Sequence, residues 1–184
     1  MLTILLLAAA CSGAEPLDDF SWREECGSIQ DWTPQPAWLD NASGSASLTS
    51  DGESLLFRIS EQGRGMKWSL DAGAATLTDT PWLAIRYRAE NLNTQRTDYL
   101  LYVDDGVSAR QLNAVRLYDA IDDGQWHVAA VDLSLLTESE SISALAIQVQ
   151  AQPQAESALC VDWIALAAQP PDGAEVIRHG PTVT

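Results

Sequence analysis

Apolar and polar residues alternate with a period of two along most of the chain. Leu55, Phe57 and Ile59 alternate with Leu56, Arg58 and Ser60, and Leu83, Ile85, Tyr87 and Ala89 with Ala84, Arg86 and Arg88. Tyr99, Leu101 and Val103 are set against Leu100, Tyr102 and Asp104, and Val115 and Leu117 against Arg116 and Tyr118. Leu145, Ile147 and Val149 are set against Ala146, Gln148 and Gln150, and Leu159, Val161, Trp163 and Ala165 make one face of the last apolar run. Side chains leave a strand on alternate sides, so each run predicts a strand with one face in a core. Ser50-Asp51-Gly52, Asp71-Ala72-Gly73, Asp104-Asp105-Gly106 and Asp122-Asp123-Gly124 lie between the runs as turns. Asp-Gly pairs supply the positive φ of tight hairpins. No segment carries a helical stripe, and only a single helical turn fits within 133–143. Short strands at regular intervals predict an all-β sandwich or barrel.

Composition narrows the partners. The chain has 184 residues, 46% hydrophobic and 20% charged, which is a globular domain of ordinary size. Its 26 acidic against 10 basic side chains leave a net charge of −16. Nucleic acid and anionic membranes need a cationic surface, so neither is an expected partner. Seven tryptophans against two phenylalanines point to broad rings with a polar edge, suited to holding a flat partner.

The first ten residues, MLTILLLAAA, have the length of a secretory h-region and are too short to span a bilayer. Two processing routes are open. Cleavage after Ala14 fits the small-residue rule and leaves 1–14 as a signal peptide, while Ala8-Ala9-Ala10-Cys11 resembles a lipobox with Cys11 lipidated. Either route makes the protein secreted or cell-surface. Cys26 and Cys160 then remain, and an oxidising compartment predicts one bridge between them. That bridge would close a loop of roughly 130 residues, worth about 4–5 kcal/mol in the chain-entropy description; two separate buried thiols are the alternative. The domain is expected over 15–168. Gln169-Pro170-Pro171-Asp172-Gly173 opens a Pro-rich tail or linker, 169–184, toward a further module.

The two ends of the domain carry a resemblance. An acidic-aromatic opening, Leu17-Asp18-Asp19-Phe20, and a closing Val161-Asp162-Trp163-Ile164-Ala165-Leu166 look like the galactose-binding-like jelly rolls of carbohydrate-binding modules. Between them Ser54 to Phe57, Trp82 to Ile85 and Trp126 to Leu133 fall in the order such modules show. A weaker echo is Asp122-Asp123-Gly124-Gln125-Trp126-His127-Val128, similar to a strand of laminin-G and concanavalin-like sandwiches. The resemblance implies an antiparallel jelly-roll sandwich with its first and last strands adjacent. It implies a polysaccharide or glycan ligand, and in many members a structural Ca2+ where those strands pair. The matching positions are Asp18 or Asp19 on the first strand and Asp162 on the last, with Asp51 or Glu53 as loop ligands. A carboxylate inside an apolar strand, as at Asp162, is costly unless a cation or donor meets it.

Residues pointing away from the core by parity are the candidate ligand face: Arg86, Arg88, Tyr102, Arg116, Tyr118, Gln148 and Gln150. Rings that stack on sugar C–H faces and forked polar groups that bond paired hydroxyls are what a sugar needs. Arginine also takes carboxylate or sulfate bidentately, which admits an acidic polysaccharide. The same positions on any strand are polar for solvation alone. In the 21–38 loop region, Trp22 and Trp38 are expected to cap the core and Trp32 to be exposed as a rim platform. Trp68, Trp126 and Trp163 are expected in the core, and Trp82 partly exposed.

Catalytic patterns are missing from the sequence. The histidines are His127, in a strand and expected to be structural, and His179 in the tail, too few for a zinc centre. Neither a nucleophile elbow nor a phosphate or dinucleotide loop is present. Asp104/Asp105 and Asp122/Asp123 read as turns. The expectation is a non-catalytic carbohydrate-binding module, with an adhesion domain binding a protein, or a small polysaccharide-degrading enzyme on the same sandwich, as alternatives.

Overall fold

A computed structural model of the chain describes residues 20–35, 44–49, 52–59, 65–94, 99–108, 111–150 and 156–179. Residues 1–19, which hold the leader, Cys11 and Asp19, lie outside the described residues, as do Trp38 and Asp51. Among the described residues no helix is long and apolar enough to cross a membrane.

The strands are β1 (Phe20–Glu24), β2 (Trp32–Pro34), β3 (Gly44–Leu48), β4 (Leu55–Ile59), β5 (Gly65–Thr76), β6 (Trp82–Glu90), β7 (Tyr99–Asp104), β8 (Leu112–Arg116), β9 (Trp126–Asp132), β10 (Ser141–Gln150), β11 (Ser157–Ala167) and β12 (Glu175–Ile177). They form two sheets. A seven-stranded sheet runs β12-β9-β6-β11-β4-β3 with β1 also on β11, and a five-stranded sheet runs β2-β5-β10-β7-β8. The expected juxtaposition holds: β1 pairs antiparallel with β11, the last long strand, and the Phe20 and Trp163 rings lie 5.5 Å apart. The helical turn within 133–143 is a 3-10 turn at Leu133–Leu135.

The alternating residues fill the space between the sheets. Phe57, Ile59, Leu83, Ile85, Tyr87, Leu101, Val103, Leu145, Ile147 and Val149 are buried in one continuous cluster. At roughly 1.5–3 kcal/mol for each fully buried large side chain, this cluster is the main favourable term of the fold.

Two local irregularities depart from strict alternation. The register of β11 against β6 slips between Val161 and Trp163. A bulge places one extra residue in the strand, so the parity beyond it inverts. Leu159 and Val161 therefore face the main core, while Trp163 and Ala165 turn outward into a second cluster with Ala84 and Ala130. Second, Asp71-Ala72-Gly73 is not a hairpin but lies inside the 12-residue β5. Gly73 and Ala74 both have positive φ there, 62° and 58°, opposite a register slip in β10. Gly106 and Gly124, at φ 71° and 74°, do sit in the Asp-Gly turns before β8 and β9.

The chain after Ala168 returns to the fold. Glu175–Ile177 pairs parallel to Ala129–Val131. Ala174 packs on the second cluster, Ile177 on the main core, and His179 Nε2 lies 2.9 Å from the Ala114 carbonyl of β8. The tail thus runs from the edge of one sheet to the edge of the other.

Candidate functional site

The outward residues proposed as one ligand face separate onto two sheets. Arg86 and Arg88 leave β6 on the outer side of the seven-stranded sheet, while Tyr102 and Gln148 leave β7 and β10 on the outer side of the five-stranded one. Arg116 and Tyr118 lie at the edge, Arg116 ending β8 and Tyr118 exposed in the 3-10 turn that follows, their side chains hydrogen-bonded. Parity says which side of a strand a residue takes, but not which sheet the strand joins.

The five-stranded sheet presents a row that crosses every strand. Thr33, Ser69, Ala146, Tyr102 and Asn113 are successive register partners from β2 to β8. In the next row Lys67 pairs with Gln148. These groups face away from the core, yet Lys67, Tyr102, Gln148 and Gln150 are all buried. They are tied together: the Tyr102 hydroxyl donates to Gln148 Oε1 at 2.7 Å, and Lys67 Nζ donates to Gln111 Oε1 at 2.6 Å while lying 4.0 Å from the Tyr102 ring centroid. Burial disfavours the ammonium and lowers Lys67 to about 8, against the opposing pull of the Asp104 carboxylate. Beside them Asn113 Oδ1 is buried without a hydrogen-bond partner. An acceptor in that state costs free energy until a donor reaches it. Lys67, Gln111 and Asn113 carry no motif; the alternation through Met66 and Trp68 was the signal that could have placed Lys67 with Gln148.

At one end of this sheet the turn after β7 is built on Asp105. Its carboxylate accepts from the Val107 and Ser108 amides at 3.1 and 2.7 Å, and from the Ser108 and Thr137 hydroxyls at 2.7 and 2.5 Å. Burial pushes this carboxyl up, but those donors outweigh it and hold it down at about 2. The depression beside it, lined by Val107, Ser134 and Leu135 among others, has hydroxyls already engaged with Asp105 and Asp132.

The outer side of the seven-stranded sheet is different. Trp126, expected in the core, is half-buried on this surface, with the guanidinium carbons of Arg86 and Arg88 4.6 and 5.3 Å from its ring. Trp163 is buried, but on this side, beneath Arg23 at 5.3 Å. Arg86 pairs with Asp162.

Several expectations are corrected. Trp32 is not a rim platform. It is 3% exposed, its ring edge-on to Phe57 at 5.6 Å, because β2 pairs with β5 and turns Trp32 inward opposite Leu70. Trp22 does pack on the core, and Trp82 is partly exposed. Cys26 and Cys160 are free, buried thiols. Cys26 belongs to the main core, where burial raises its pKa, while Cys160 faces the outer side and receives Arg88 Nη2 at 3.4 Å.

Of the calcium positions, Asp18, Asp19 and Asp51 lie outside the described residues, while Asp162 and Glu53 are described. Asp162 is met by Arg86, the alternative way to satisfy a carboxylate in an apolar strand, and Glu53 is exposed in the turn before β4. No three His, Cys, Asp or Glu of the described residues gather as metal ligands. His127 bonds Asp123 through Nε2 at 2.8 Å, which lowers that carboxyl.

No protein-family model matches the chain, and no curated protein matches it. Solved structures do. A family 29 carbohydrate-binding module complexed with cellulohexaose matches at a TM-score of 0.50 and 9% identity, over 80% of this chain and 88% of that one. The family 11 carbohydrate-binding module from Clostridium thermocellum, complexed with a β-1,3-1,4-mixed-linked tetrasaccharide, matches at 0.51 and 9%, over 84% and 95%. An agarase matches at 0.51 and 11%, over 77% of this chain and 23% of the agarase. At such identities the likeness speaks to architecture: the chain folds as a jelly-roll β-sandwich similar to those of carbohydrate-binding modules.

Proposed function

We propose that the protein is an exported, non-catalytic carbohydrate-binding module that holds a polysaccharide strand across the outward face of its five-stranded sheet. The observation that carries this reading is the set Lys67, Tyr102 and Gln148. A lysine, a phenol and an amide face away from the core, yet are withdrawn from water and linked to one another. Ordinary outward positions are solvated and cost nothing to keep; a desolvated ammonium is destabilising and is the kind of cost found at binding sites. The chemistry suits hydroxyls: above this buried set the row reaches solvent at Thr33, Ser69, Gln111 and Asn113, which offer hydroxyl and amide groups and the vacant Asn113 acceptor to sugar O–H groups. The row from Thr33 to Asn113 spans five strands, about 19 Å at the usual strand separation, enough for several sugar rings. The likeness to sugar-bound modules supports the same reading.

Affinity electrophoresis against a panel of neutral polysaccharides tests it. The wild type should be retarded by at least one, and Tyr102→Ala and Asn113→Ala should each lose most of that retardation while melting as folded proteins. No retardation by any polysaccharide would refute the reading. Release of reducing ends from the same panel would replace it with an enzyme.

A further inference from the structure

The C-terminal tail reaches the strand that carries Asn113. β8 lies at the edge of the five-stranded sheet, hydrogen-bonded there to β7. Its register slips: Leu101 pairs with Val115 and Tyr102 with Asn113, so Ala114 is an extra residue on β8. The extra residue of a bulge is left out of the ladder, and the strand bends around it. Ala114 and Val115 accordingly both fill the main core, while Asn113 stands outward beside Tyr102. The tail meets this bulge, with His179 Nε2 2.9 Å from the Ala114 carbonyl. A carbonyl only accepts, so Nε2 carries the proton. His179 is itself held: two residues earlier Ile177 packs on the main core and pairs with Val131, in a parallel pairing that begins at Glu175. Tyr102 is fixed by strands on both sides and by its bond to Gln148. Asn113 has β7 on one side, and its Oδ1 is buried without a hydrogen-bond partner, so the β8 backbone decides where its side chain points.

We propose that His179 is a positioning residue for the sugar site: by holding the Ala114 carbonyl it locks the bulged β8 edge, and so fixes where Asn113 presents its side chain to the ligand. This rests on the five-stranded face being the sugar site. Positioning matters because a hydrogen bond weakens steeply once its length or direction is lost. An edge strand with few partners is also among the first parts of a fold to open locally. Linkage makes the effect reciprocal: where tail docking strengthens sugar binding, sugar binding strengthens tail docking by the same factor. The tail is then part of the binding device without needing to touch the sugar.

Backbone amide exchange of the full-length protein tests the strap without a ligand. His179→Ala should speed exchange across 112–116 roughly tenfold and leave β4 and β11 unchanged. Its melting temperature should fall by only about 2–4 °C, the usual cost of one hydrogen bond in a chain of this size. His179→Gln, whose side-chain amide donates from a similar position, should restore slow exchange. Binding is then read as retardation by hydroxyethyl cellulose, mixed-linkage β-glucan and the rest of the neutral panel. His179→Ala should weaken it by about three- to tenfold, and His179→Gln should recover most of the loss. In the residual binding of Asn113→Ala, adding His179→Ala should change nothing further, since both act on one contact. Saturating polysaccharide should slow tryptic cleavage after Arg178, which is exposed in the tail, by about threefold or more. Unchanged exchange in β8 overturns the proposal whatever the ligand. So does a loosened β8 with undiminished binding, an equal loss from His179→Ala with and without Asn113, or a tail no better protected when sugar is bound. A wild type retarded by no polysaccharide ends the sugar reading and this role with it, and the exchange result separates that failure from failure of the strap itself.

Discussion

Lys67→Met should make the protein more stable while impairing its binding. The lysine is 2% exposed and its pKa falls from 10.5 to about 8 because burial penalises the ammonium. At neutral pH the folded state therefore carries a cost of about 2–3 kcal/mol relative to a solvated lysine. Methionine keeps the aliphatic stem and removes the charge. It forfeits the bond to Gln111 Oε1 and the contact with the Tyr102 ring, worth about 1 kcal/mol together. The net expectation is a gain of about 1–2 kcal/mol in urea unfolding at pH 7. The pH dependence gives a sharper signature. The folded pKa lies below the unfolded one, so between about pH 8 and 10.5 the unfolded chain binds more protons and stability rises with pH. The wild type should thus gain about 1 kcal/mol from Lys67 between pH 7 and 9, and the variant should not. Cys26, raised above its usual 9, and Tyr87, raised to about 12, act in the opposite sense at higher pH, since they hold protons that the unfolded chain has lost. The wild-type-minus-variant difference cancels both. A variant less stable than wild type at pH 7, with an unchanged pH profile, would refute the claim that Lys67 is a desolvated cation.

Other outcomes follow from the same structure. Asp105→Asn should lose about 2 kcal/mol at pH 7, because a carboxyl held near 2 rather than 3.8 stabilises the fold above pH 4, and that stability is lost as pH falls toward 2. Urea midpoints of wild type and variant should therefore converge at pH 2. Truncation after Ala168 should lower stability by roughly 2–4 kcal/mol and increase dye binding, since it removes Ile177 from the main core and Ala174 from the cluster of Ala84, Ala130, Trp163 and Ala165. With Asp162 engaged by Arg86, EDTA should leave the melting temperature unchanged; a fall on chelation would mean a native-state cation.

The alternation of Leu83, Ile85, Tyr87 and Ala89, and of Leu145, Ile147 and Val149, was enough to place these residues in a two-sheet core, because a strand has only two sides and water selects between them. The acidic-aromatic start and the Val161 to Leu166 ending likewise foretold that Phe20 would meet Trp163. What alternation could not show is which sheet a strand enters. That depends on long-range pairing, and it separated Arg86 and Arg88 from Tyr102 and Gln148. Nor could it show an inserted residue: the slip at Asp162 turned Trp163 outward and left the carboxylate against Arg86. Burial of a polar side chain is also decided elsewhere in the fold. Trp32, Tyr102 and Gln148 read alike as outward or exposed, and all three are buried in the assembled sheets. Local preference selects the side of the ribbon, while the company on that side is a property of the assembled sheets alone.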